Sequence, residues 1–193
     1  MDQLQKRPAN YVPLSPVGFL PRASAVYGAR TSVVYGRVRH TWAQTHDRCR
    51  RLASSLVRTL GVRRNDVVSV LAPNVPAMYE MHFAVPMAGA VLNTVNTRLD
   101  AGAVAAILRH AEAKLFFVDY EYVRLASDAL QLLADSGAPV PLVAVIDDLD
   151  RPTGVRLGAQ DEEEGVGGGC RVISKNTIRN TACRKKGNNF GNF

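Results

Sequence analysis

The sequence predicts an α/β fold, in which a mainly parallel sheet is flanked by helices on both faces. Short runs dominated by Val and Leu and bounded by turn residues are typical of strands that are covered on both sides. These runs alternate with helical segments of about 10 to 15 residues, which indicates right-handed crossovers between parallel strands. The four predicted parallel strands lie at residues 66–72, 91–95, 114–119 and 141–147.

The N-terminal region is predicted to begin with an extended arm and a hairpin. Prolines recur through residues 1–22, and each fixes its own backbone and disfavours helix at the residue before it. The run SVVYGRVRH that follows has β-branched residues on either side of Gly36 and Arg37, which suits a short hairpin. Thr41 is expected to cap a helix with one apolar face, and Gly61 is placed to end it.

Three further helices are predicted between the parallel strands. Asn74 is placed to cap the first of them, and Pro76 fits its first turn, where no amide donor is needed. This helix is apolar nearly all round, which indicates burial inside a larger body, and Pro86 should kink or shorten its last turn. The other two helices are expected at residues 101–110, capped by Asp100, and at residues 122–134.

The pattern changes at about residue 159. An acidic run, DEEE, is followed by a glycine triplet and by the polar end CRKKGNNFGNF, and neither helical nor strand periodicity persists. This segment has too little apolar surface to offset ~1 to 2 kcal/mol of backbone ordering per residue, so we expect it to be disordered. The predicted organisation is an arm at residues 1–22, a partial α/β domain at residues 23–158 and a tail at residues 159–193.

The composition is typical of a soluble globular protein in a reducing compartment. Apolar residues make up 47% and charged residues 21% of the chain, and the longest apolar run, residues 83–92, is too short to cross ~30 Å of hydrocarbon. The three cysteines form no CxxC pair, so they indicate neither a disulfide framework nor a zinc ribbon. We therefore expect a cytoplasmic protein without a membrane span.

The formal net charge of +7 raises the alternative of a nucleic-acid-binding protein. The excess is dispersed, however, and the arginines at positions 48, 50, 51 and 58 fall mostly on the polar side of one predicted helix. The sequence has neither a basic stripe with aromatic residues nor a recognisable nucleic-acid-binding module, so we expect no specific nucleic-acid partner. The basic tail residues Arg184, Lys185 and Lys186 are expected to make only weak, salt-sensitive contacts with polyanions.

The candidate functional residues have simpler structural interpretations, and we assign no catalytic, cofactor-binding or metal-binding residue. The segment Gly165–Lys175 matches neither common phosphate-loop pattern, and we interpret it as a linker. Cys170 and Cys183 have no nearby histidine to complete a zinc site. His82 and His110 lie on predicted helices, where we expect packing or surface roles rather than catalysis.

Three aspartates, Asp147, Asp148 and Asp150, follow the last predicted parallel strand. Ligands of open α/β sheets bind at the carboxyl ends of strands, so these side chains could attract Mg²⁺. They lack a partner motif, and we interpret them as a solvated loop. The single tryptophan, Trp42, follows a predicted helix cap and is expected to pack as a hydrophobic anchor.

A family resemblance is carried by the segments HTWAQ, RCRRLASSL, GVRRNDVVSVLAPNVPAMYEMHFAVPMAGAVLNTVNTRLD and HAEAKLFFVD. They resemble the AMP-forming acyl-activating enzymes, the adenylate-forming ligases that include acyl-CoA synthetases, and most closely the plant acyl-activating subgroup. The resemblance covers roughly residues 5–158. One departure is Asn65, where the family usually has glycine before the aspartate.

The resemblance implies a reaction in which a carboxylate attacks the α-phosphate of ATP and the acyl-adenylate then reacts with a thiol, usually that of coenzyme A. Such chemistry requires a phosphate-cradling loop, a cation and Mg²⁺. The family supplies them through a Ser/Thr/Gly-rich loop ending in Pro-Lys, a later Thr-Glu pair, a ribose-binding Asp and a C-terminal lysine. These motifs do not occur in the sequence, so the resemblance implies part of the large N-terminal domain.

We therefore predict a truncated member of this ligase family that is inactive alone and needs no cofactor by itself, whereas its full-length relatives use ATP, Mg²⁺ and coenzyme A. A retained intron or a shifted frame would explain the divergent tail. The alternative is a non-catalytic protein that pairs with a full-length ligase or another partner. Relatives are often peroxisomal through a C-terminal address, but this chain ends in Gly-Asn-Phe.

Overall fold

The computed structural model describes residues 5, 7 and 11, residues 15–154 and residues 172–173. Within these residues the chain forms five α-helices, an antiparallel hairpin and a five-stranded parallel sheet. The helices are α1 (Pro16–Tyr27), α2 (Trp42–Arg58), α3 (Pro76–Met87), α4 (Ala101–His110) and α5 (Val123–Asp135). The strands are β1 (Thr31–Tyr35), β2 (Val38–Thr41), β3 (Val67–Leu71), β4 (Val91–Val95), β5 (Leu115–Asp119), β6 (Leu142–Ile146) and β7 (Val172–Ile173).

The large sheet has the order β4-β3-β5-β6-β7, and every pair of neighbours is parallel. The register aligns Val68 of β3 with Leu92 of β4 on one side and with Leu115 of β5 on the other. The predicted α/β class and the four predicted parallel strands are confirmed, and β7 adds a fifth. The hairpin of β1 and β2 turns at Gly36 and Arg37, as predicted.

Helices cover both faces of the sheet. Successive side chains of a strand point to opposite sides, so the apolar strand residues need a helical layer on each face. On one face, Val68 and Phe117 pack against α2 and α3, and on the other, Leu71 and Phe116 pack against α4 and α5. The chain therefore changes face between α3 and α4. None of the helices in the described part of the chain is both long and apolar enough to cross a bilayer.

The expected extended arm at residues 1–22 is wrong over its last third, where the structure has α1. Pro16 occupies the start of this helix and Pro21 lies inside it. Leu20 is 1% exposed and packs against Cys49 and Ala84, from α2 and α3. This burial offsets the backbone hydrogen bond that Pro21 cannot donate. Most of the residues before Ser15 lie outside the described residues.

Two of the three predicted helix caps are confirmed. Thr41 and Gln44 form a reciprocal capping box at the start of α2, and the Asp100 carboxylate accepts a hydrogen bond from the Ala103 amide at 2.7 Å. The prediction for Asn74 is wrong, because the N-cap of α3 is Val75, which makes no side-chain capping bond. Pro76 lies in the first turn as predicted, and α3 ends one residue after Pro86.

The structure describes two residues of the tail that we expect to be disordered. Val172 and Ile173 form β7, which pairs with Val143 and Ala144 of β6. Residues 159–171 and 174–193 lie outside the described residues, so the expectation there stays a prediction.

Candidate functional site

Ligands of open α/β sheets bind at the carboxyl edge, where neighbouring strands are followed by helices on opposite faces. In this sheet β3 and β5 are neighbours, and the helices that follow them, α3 and α5, pack on opposite faces. The chain therefore leaves β3 and β5 in opposite directions. The crevice between these two strand ends is the position at which the fold favours a ligand.

This crevice is almost filled by side chains of the protein itself. Its cavity volume is about 20 Å³, which corresponds to about one water molecule. Tyr35 of the hairpin closes it from one side, and the loop that follows β6 closes it from the other. Asp119, at the end of β5, also lines it and is 2% exposed.

Several carboxylates lie near the crevice. Burial raises the pKa of Tyr35, and the carboxylates of Asp148, Asp119, Glu121 and Asp150 raise it further. The phenol of Tyr35 is therefore neutral at physiological pH. An anionic group such as a phosphate would meet carboxylates and no compensating cation among these lining residues.

The aspartates that follow β6 hold their own loop together. Asp147 accepts hydrogen bonds from the amide and the hydroxyl of Thr153 at 2.8 and 2.7 Å. Asp148 accepts from the amide of Asp150 at 2.6 Å. Asp150 in turn accepts from the amide and the Nε of Arg37 at 3.1 and 3.3 Å, which fastens the loop to the hairpin turn.

These contacts correct the interpretation of the three aspartates as a solvated loop, since the Asp150 side chain is only 12% exposed. Among residues 15–154, together with the few other described positions, no three acidic, histidine or cysteine side chains are grouped closely enough to hold a metal ion.

An open cleft lies beside the filled crevice, at the carboxyl ends of β3 and β4. It has a volume of about 480 Å³. Its polar wall comes from the loops after the two strands, and its other wall comes from α3. The lining residues are Ala72, Pro73, Asn74, Met78, His82, Thr94, Val95, Asn96 and Thr97.

His82 lines this cleft, and its ring is held by its own helix. Its Nδ1 is 2.8 Å from the carbonyl oxygen of Met78, one turn earlier in α3. Because a carbonyl only accepts, Nδ1 donates this bond, and Nε2 is the ring nitrogen that remains for a ligand. We expected His82 to have a packing or a surface role. It is solvent-exposed, so of these two it has the surface position.

A second, more apolar groove of about 640 Å³ runs between β1 and α3. We call it the β1 groove. It shares Asn74, Met78 and His82 with the polar cleft, so the two openings meet along the first half of α3. The sequence did not indicate either opening, because each depends on how β1 and the strand ends are placed around α3.

The other candidate residues are placed as follows. Trp42 packs against the cluster of Leu20, Cys49, Ala53 and Ala84, which confirms its prediction as a hydrophobic anchor. His110 is exposed and is the last residue of α4. Cys170, Cys183 and all of Gly165–Lys175 except the backbone of β7 lie outside the described residues.

Comparison with known proteins assigns the family. The family described as AMP-binding enzyme matches residues 20–182, which is most of the chain. The chain belongs to this AMP-binding enzyme family. The match extends beyond residue 158, where we expected the resemblance to end, although the division of the chain into domains stays a prediction.

Plant CoA ligases are similar to this AMP-binding family member. The chain is 57% identical over 173 residues to the peroxisomal trans-cinnamate:CoA ligase of Petunia hybrida, an alignment that covers 85% of this chain and 30% of the relative. It is also 57% identical over 154 residues to the peroxisomal butyrate–CoA ligase of Arabidopsis thaliana, with 79% and 27% covered. The chain thus spans less than a third of the length of these relatives.

A solved structure supports the fold. The coronafacic acid ligase of Pectobacterium brasiliense superposes with a TM-score of 0.64 at 15% identity, covering 84% of this chain and 28% of that one. At this identity the likeness shows only the fold.

The described residues of this family member do not fit a nucleotide at the β3–β5 crevice. A cavity of about 20 Å³ cannot admit a triphosphate, and the carboxylates around Tyr35 would repel one. The polar cleft beside it has amide and hydroxyl groups, but the residues that line it include neither Lys nor Arg.

Proposed function

We propose that this chain carries the first part of the large domain of an AMP-forming acyl-CoA ligase. The whole enzyme would convert a carboxylic acid, ATP and coenzyme A to acyl-CoA, AMP and pyrophosphate. The observation that carries the proposal is the 57% identity to two plant CoA ligases that act, by their names, on different carboxylic acids. The parallel sheet and its two helical layers supply the scaffold on which such a site is built.

We further propose that the 193-residue chain alone does not form acyl-adenylates. In the first step a carboxylate oxygen bonds to the α-phosphorus of ATP and pyrophosphate leaves, so negative charge must be neutralised on both products. The crevice between β3 and β5 presents carboxylates instead. The residues that line this crevice include neither Lys nor Arg to neutralise the charge of the reacting phosphates.

A pyrophosphate-exchange assay tests this second proposal directly. Purified chain is incubated with ATP, Mg²⁺, labelled pyrophosphate and either cinnamate or butyrate, and the petunia ligase serves as the positive control. We expect exchange with the petunia enzyme and none with the chain. Carboxylate-dependent exchange by the chain would overturn the proposal of inactivity.

A chimaera tests the first proposal. Residues 16–154 replace the corresponding segment of the petunia ligase, and the rest of that enzyme is unchanged. If the segment is a ligase scaffold, the chimaera should form cinnamoyl-CoA, with a rate within roughly a hundredfold of the parent because more than half of the exchanged residues are identical. A folded chimaera without activity would count against the proposal.

A non-catalytic partner of a full-length ligase is the second candidate function, and the β1 groove is the observation that favours it. An apolar opening of this size on a small protein is typical of an interaction surface. Size-exclusion chromatography of the chain mixed with the petunia ligase measures this directly. A complex of defined stoichiometry would support the partner function, and separate elution would exclude it for this ligase.

The cellular location is also a proposal. Both plant relatives are named as peroxisomal enzymes, whereas we propose a cytoplasmic location for this chain. A fluorescent protein fused to the N-terminus of the chain would leave its C-terminus free. Diffuse cytoplasmic fluorescence would support our expectation, and punctate fluorescence that coincides with a peroxisomal marker would contradict it.

A further inference from the structure

Helix α1 is apolar on the side that faces solvent as well as on the side that is buried. Leu20 points inward and packs against α2 and α3. On the solvent side, Phe19, Val26 and Tyr27 are 50%, 65% and 47% exposed. Positions 19, 26 and 27 have the spacing of one helical face, so these three side chains form a single stripe. We call it the α1 stripe.

The α1 stripe is not covered by the described part of the chain. None of its three residues belongs to an apolar core cluster that the described residues form. A helix that is apolar on opposite sides is typically covered on both, because each side is poorly solvated by water. Exposed apolar side chains that are contiguous rather than scattered mark an interaction surface.

The charges beside the α1 stripe are positive. Arg22 is the only charged residue of α1, and Arg30 follows the helix. The Arg30 guanidinium lies 5.1 Å from the centre of the Tyr27 ring, which places a positive charge at the end of the stripe. Within the described residues, neither arginine forms an ion pair with a carboxylate. Both are exposed, so both can reach an anionic partner.

The sequence around α1 has the same sign of charge. Residues 1–46 contain six Lys and Arg and one acidic residue, Asp2, which gives +5 of the formal net charge of +7. Residues 3–46 contain neither Asp nor Glu. The basic residues are spaced apart, so the sequence alone shows no basic stripe. An anionic surface that approaches α1 therefore meets no opposing carboxylate from this segment.

We propose that the α1 stripe binds the surface of an anionic phospholipid membrane. Phe19 and Val26 enter the boundary between headgroups and acyl chains, and the Tyr27 ring lies at the level of the headgroups. Arg22 and Arg30 pair with the lipid phosphates. Binding is reversible, because one short apolar stripe and two arginines supply only part of the free energy of a stable anchor. This proposal does not depend on the proposed function.

Two other partners fit this surface less well. In a twofold contact between copies of the chain, Arg22 and Arg30 would face the same residues of the second copy, and like charges repel. A nucleic-acid duplex would pair with the arginines through its phosphates, but it offers no apolar layer to Val26. A lipid surface satisfies both the charge and the apolar side chains.

Sedimentation of the 193-residue chain with lipid vesicles tests the proposal. One set of vesicles is phosphatidylcholine alone, and the other is equal parts of phosphatidylcholine and phosphatidylserine. We expect at least roughly tenfold tighter binding to the anionic set, because each of the two arginines contributes about fivefold at an anionic surface. Added salt should weaken this binding. Equal binding to the two sets, or binding to neither, would overturn the proposal.

A matched pair of variants assigns the binding to the α1 stripe. Val26→Asp places a carboxylate in the stripe and should weaken binding to the anionic vesicles at least roughly tenfold. Leu132→Asp is the control, because Leu132 is 47% exposed on α5, which packs on the opposite face of the sheet. The control should bind as the wild type does. Equal losses in the two variants, or no loss in Val26→Asp, would contradict the proposal.

A second pair tests the charge without changing the apolar stripe. Arg22→Gln should weaken binding to the anionic vesicles about fivefold. Arg124→Gln removes an exposed arginine from α5 and should have no effect. This pair decides the matter if circular dichroism shows that Val26→Asp does not fold. Arg22→Gln that binds as tightly as the wild type would sink the proposal.

The remaining outcomes identify a different partner. Binding of a DNA duplex at physiological salt, unchanged in Val26→Asp, would show a nucleic-acid surface and overturn the proposal. Dimerisation that Val26→Asp abolishes would show self-association and would also overturn it. No ligase activity enters these measurements, so their failure leaves the proposed function in place. An inactive chimaera, in turn, leaves membrane binding by the chain in place.

Discussion

At the scale of single residues, the carboxylate of Glu80 between α2 and α3 is a buried charge that requires a partner. Glu80 is 5% exposed. Arg48 pairs with it through Nε and Oε1, and also through Nη2 and Oε2 at 3.1 Å. A buried charge of this kind is tolerated only when a partner compensates it. Arg48 therefore fixes α3, which carries His82, against α2.

Removing Arg48 should destabilise the fold strongly. In Arg48→Ala the Glu80 carboxylate stays buried without its partner, and we expect a loss of about 3 kcal/mol, toward the low end for a buried pair because the Arg48 side chain is 30% exposed. Arg51→Ala is the matched control, since Arg51 pairs with Asp47 on the exposed face of the same helix. Its cost should be about 0.5 kcal/mol or less. Urea unfolding of both variants measures the difference, and equal losses would refute this account.

Asn65 adopts a backbone conformation that favours glycine. Its φ is +69°, which lies in the left-handed region that glycine adopts freely. Asn65→Ala should cost about 1 kcal/mol, because an alanine Cβ is strained in the left-handed region. Asn65→Gly should be nearly neutral, since glycine adopts the same φ freely. Thermal unfolding of the two variants tests this, and an alanine variant as stable as the glycine variant would contradict it.

At the scale of elements, the helix starts are stabilised unequally. Asp100 caps α4 through its carboxylate and Thr41 caps α2 within a capping box, whereas Asn74 makes no capping bond to α3. Asp100→Ala and Thr41→Ala should each cost about 1 kcal/mol. Asn74→Ala is the control, with an expected loss below about 0.5 kcal/mol. Chemical denaturation of the three variants would disprove this ranking if Asn74→Ala proved the most harmful.

Local rules correctly predicted helix starts that depend on one capping residue. They failed where a proline restricts the backbone of the residue before it and so moves the start of the helix. Asp100 was predictable because its carboxylate reaches an amide three residues on. Pro76 makes Val75 extended and moves the cap of α3 one residue beyond Asn74. The same rule applies to Pro16, which starts α1 and which we took for part of an extended arm.

The candidate site was not predictable from the sequence for a different reason. The parallel strands follow from runs of apolar residues that are continuous along the chain. The cleft and the β1 groove instead depend on how segments about 40 residues apart are placed, such as Tyr35 and Pro76, which line the same groove. No periodicity encodes such a contact. Even the role of Asp150, which binds the hairpin turn at Arg37, appears only once the chain is folded.

At the scale of the whole molecule, buried polar contacts connect the hairpin to the helical layer. The hydroxyls of Ser32 and Thr45 are 2.6 Å apart, and Ser32 also donates to the carbonyl of His40 at 3.1 Å. The Nε2 atom of His40 is buried and has no hydrogen-bond partner within the described residues. Protonation of His40 would therefore place a charge where nothing on the described chain accepts its proton.

Stability should consequently depend on pH through His40. Burial, followed by the charge of Arg48, lowers the pKa of His40, although Glu80 opposes the shift. The unfolded chain then binds a proton at higher pH than the folded protein does. Neutral His40 makes its whole contribution to the free energy of unfolding above the ordinary histidine pKa of about 6.5. This contribution is lost as the pH falls through that value toward the lower pKa of the folded protein.

Urea unfolding between about pH 8 and pH 5.5 tests this prediction, because most carboxylates titrate below that window. The free energy of unfolding should decrease toward low pH with a slope of at most about 1.4 kcal/mol per pH unit. His40→Gln removes the titrating ring and should flatten the slope, even if it changes the stability at pH 8. Wild type and variant with parallel pH profiles would show that the hairpin is not coupled to this proton.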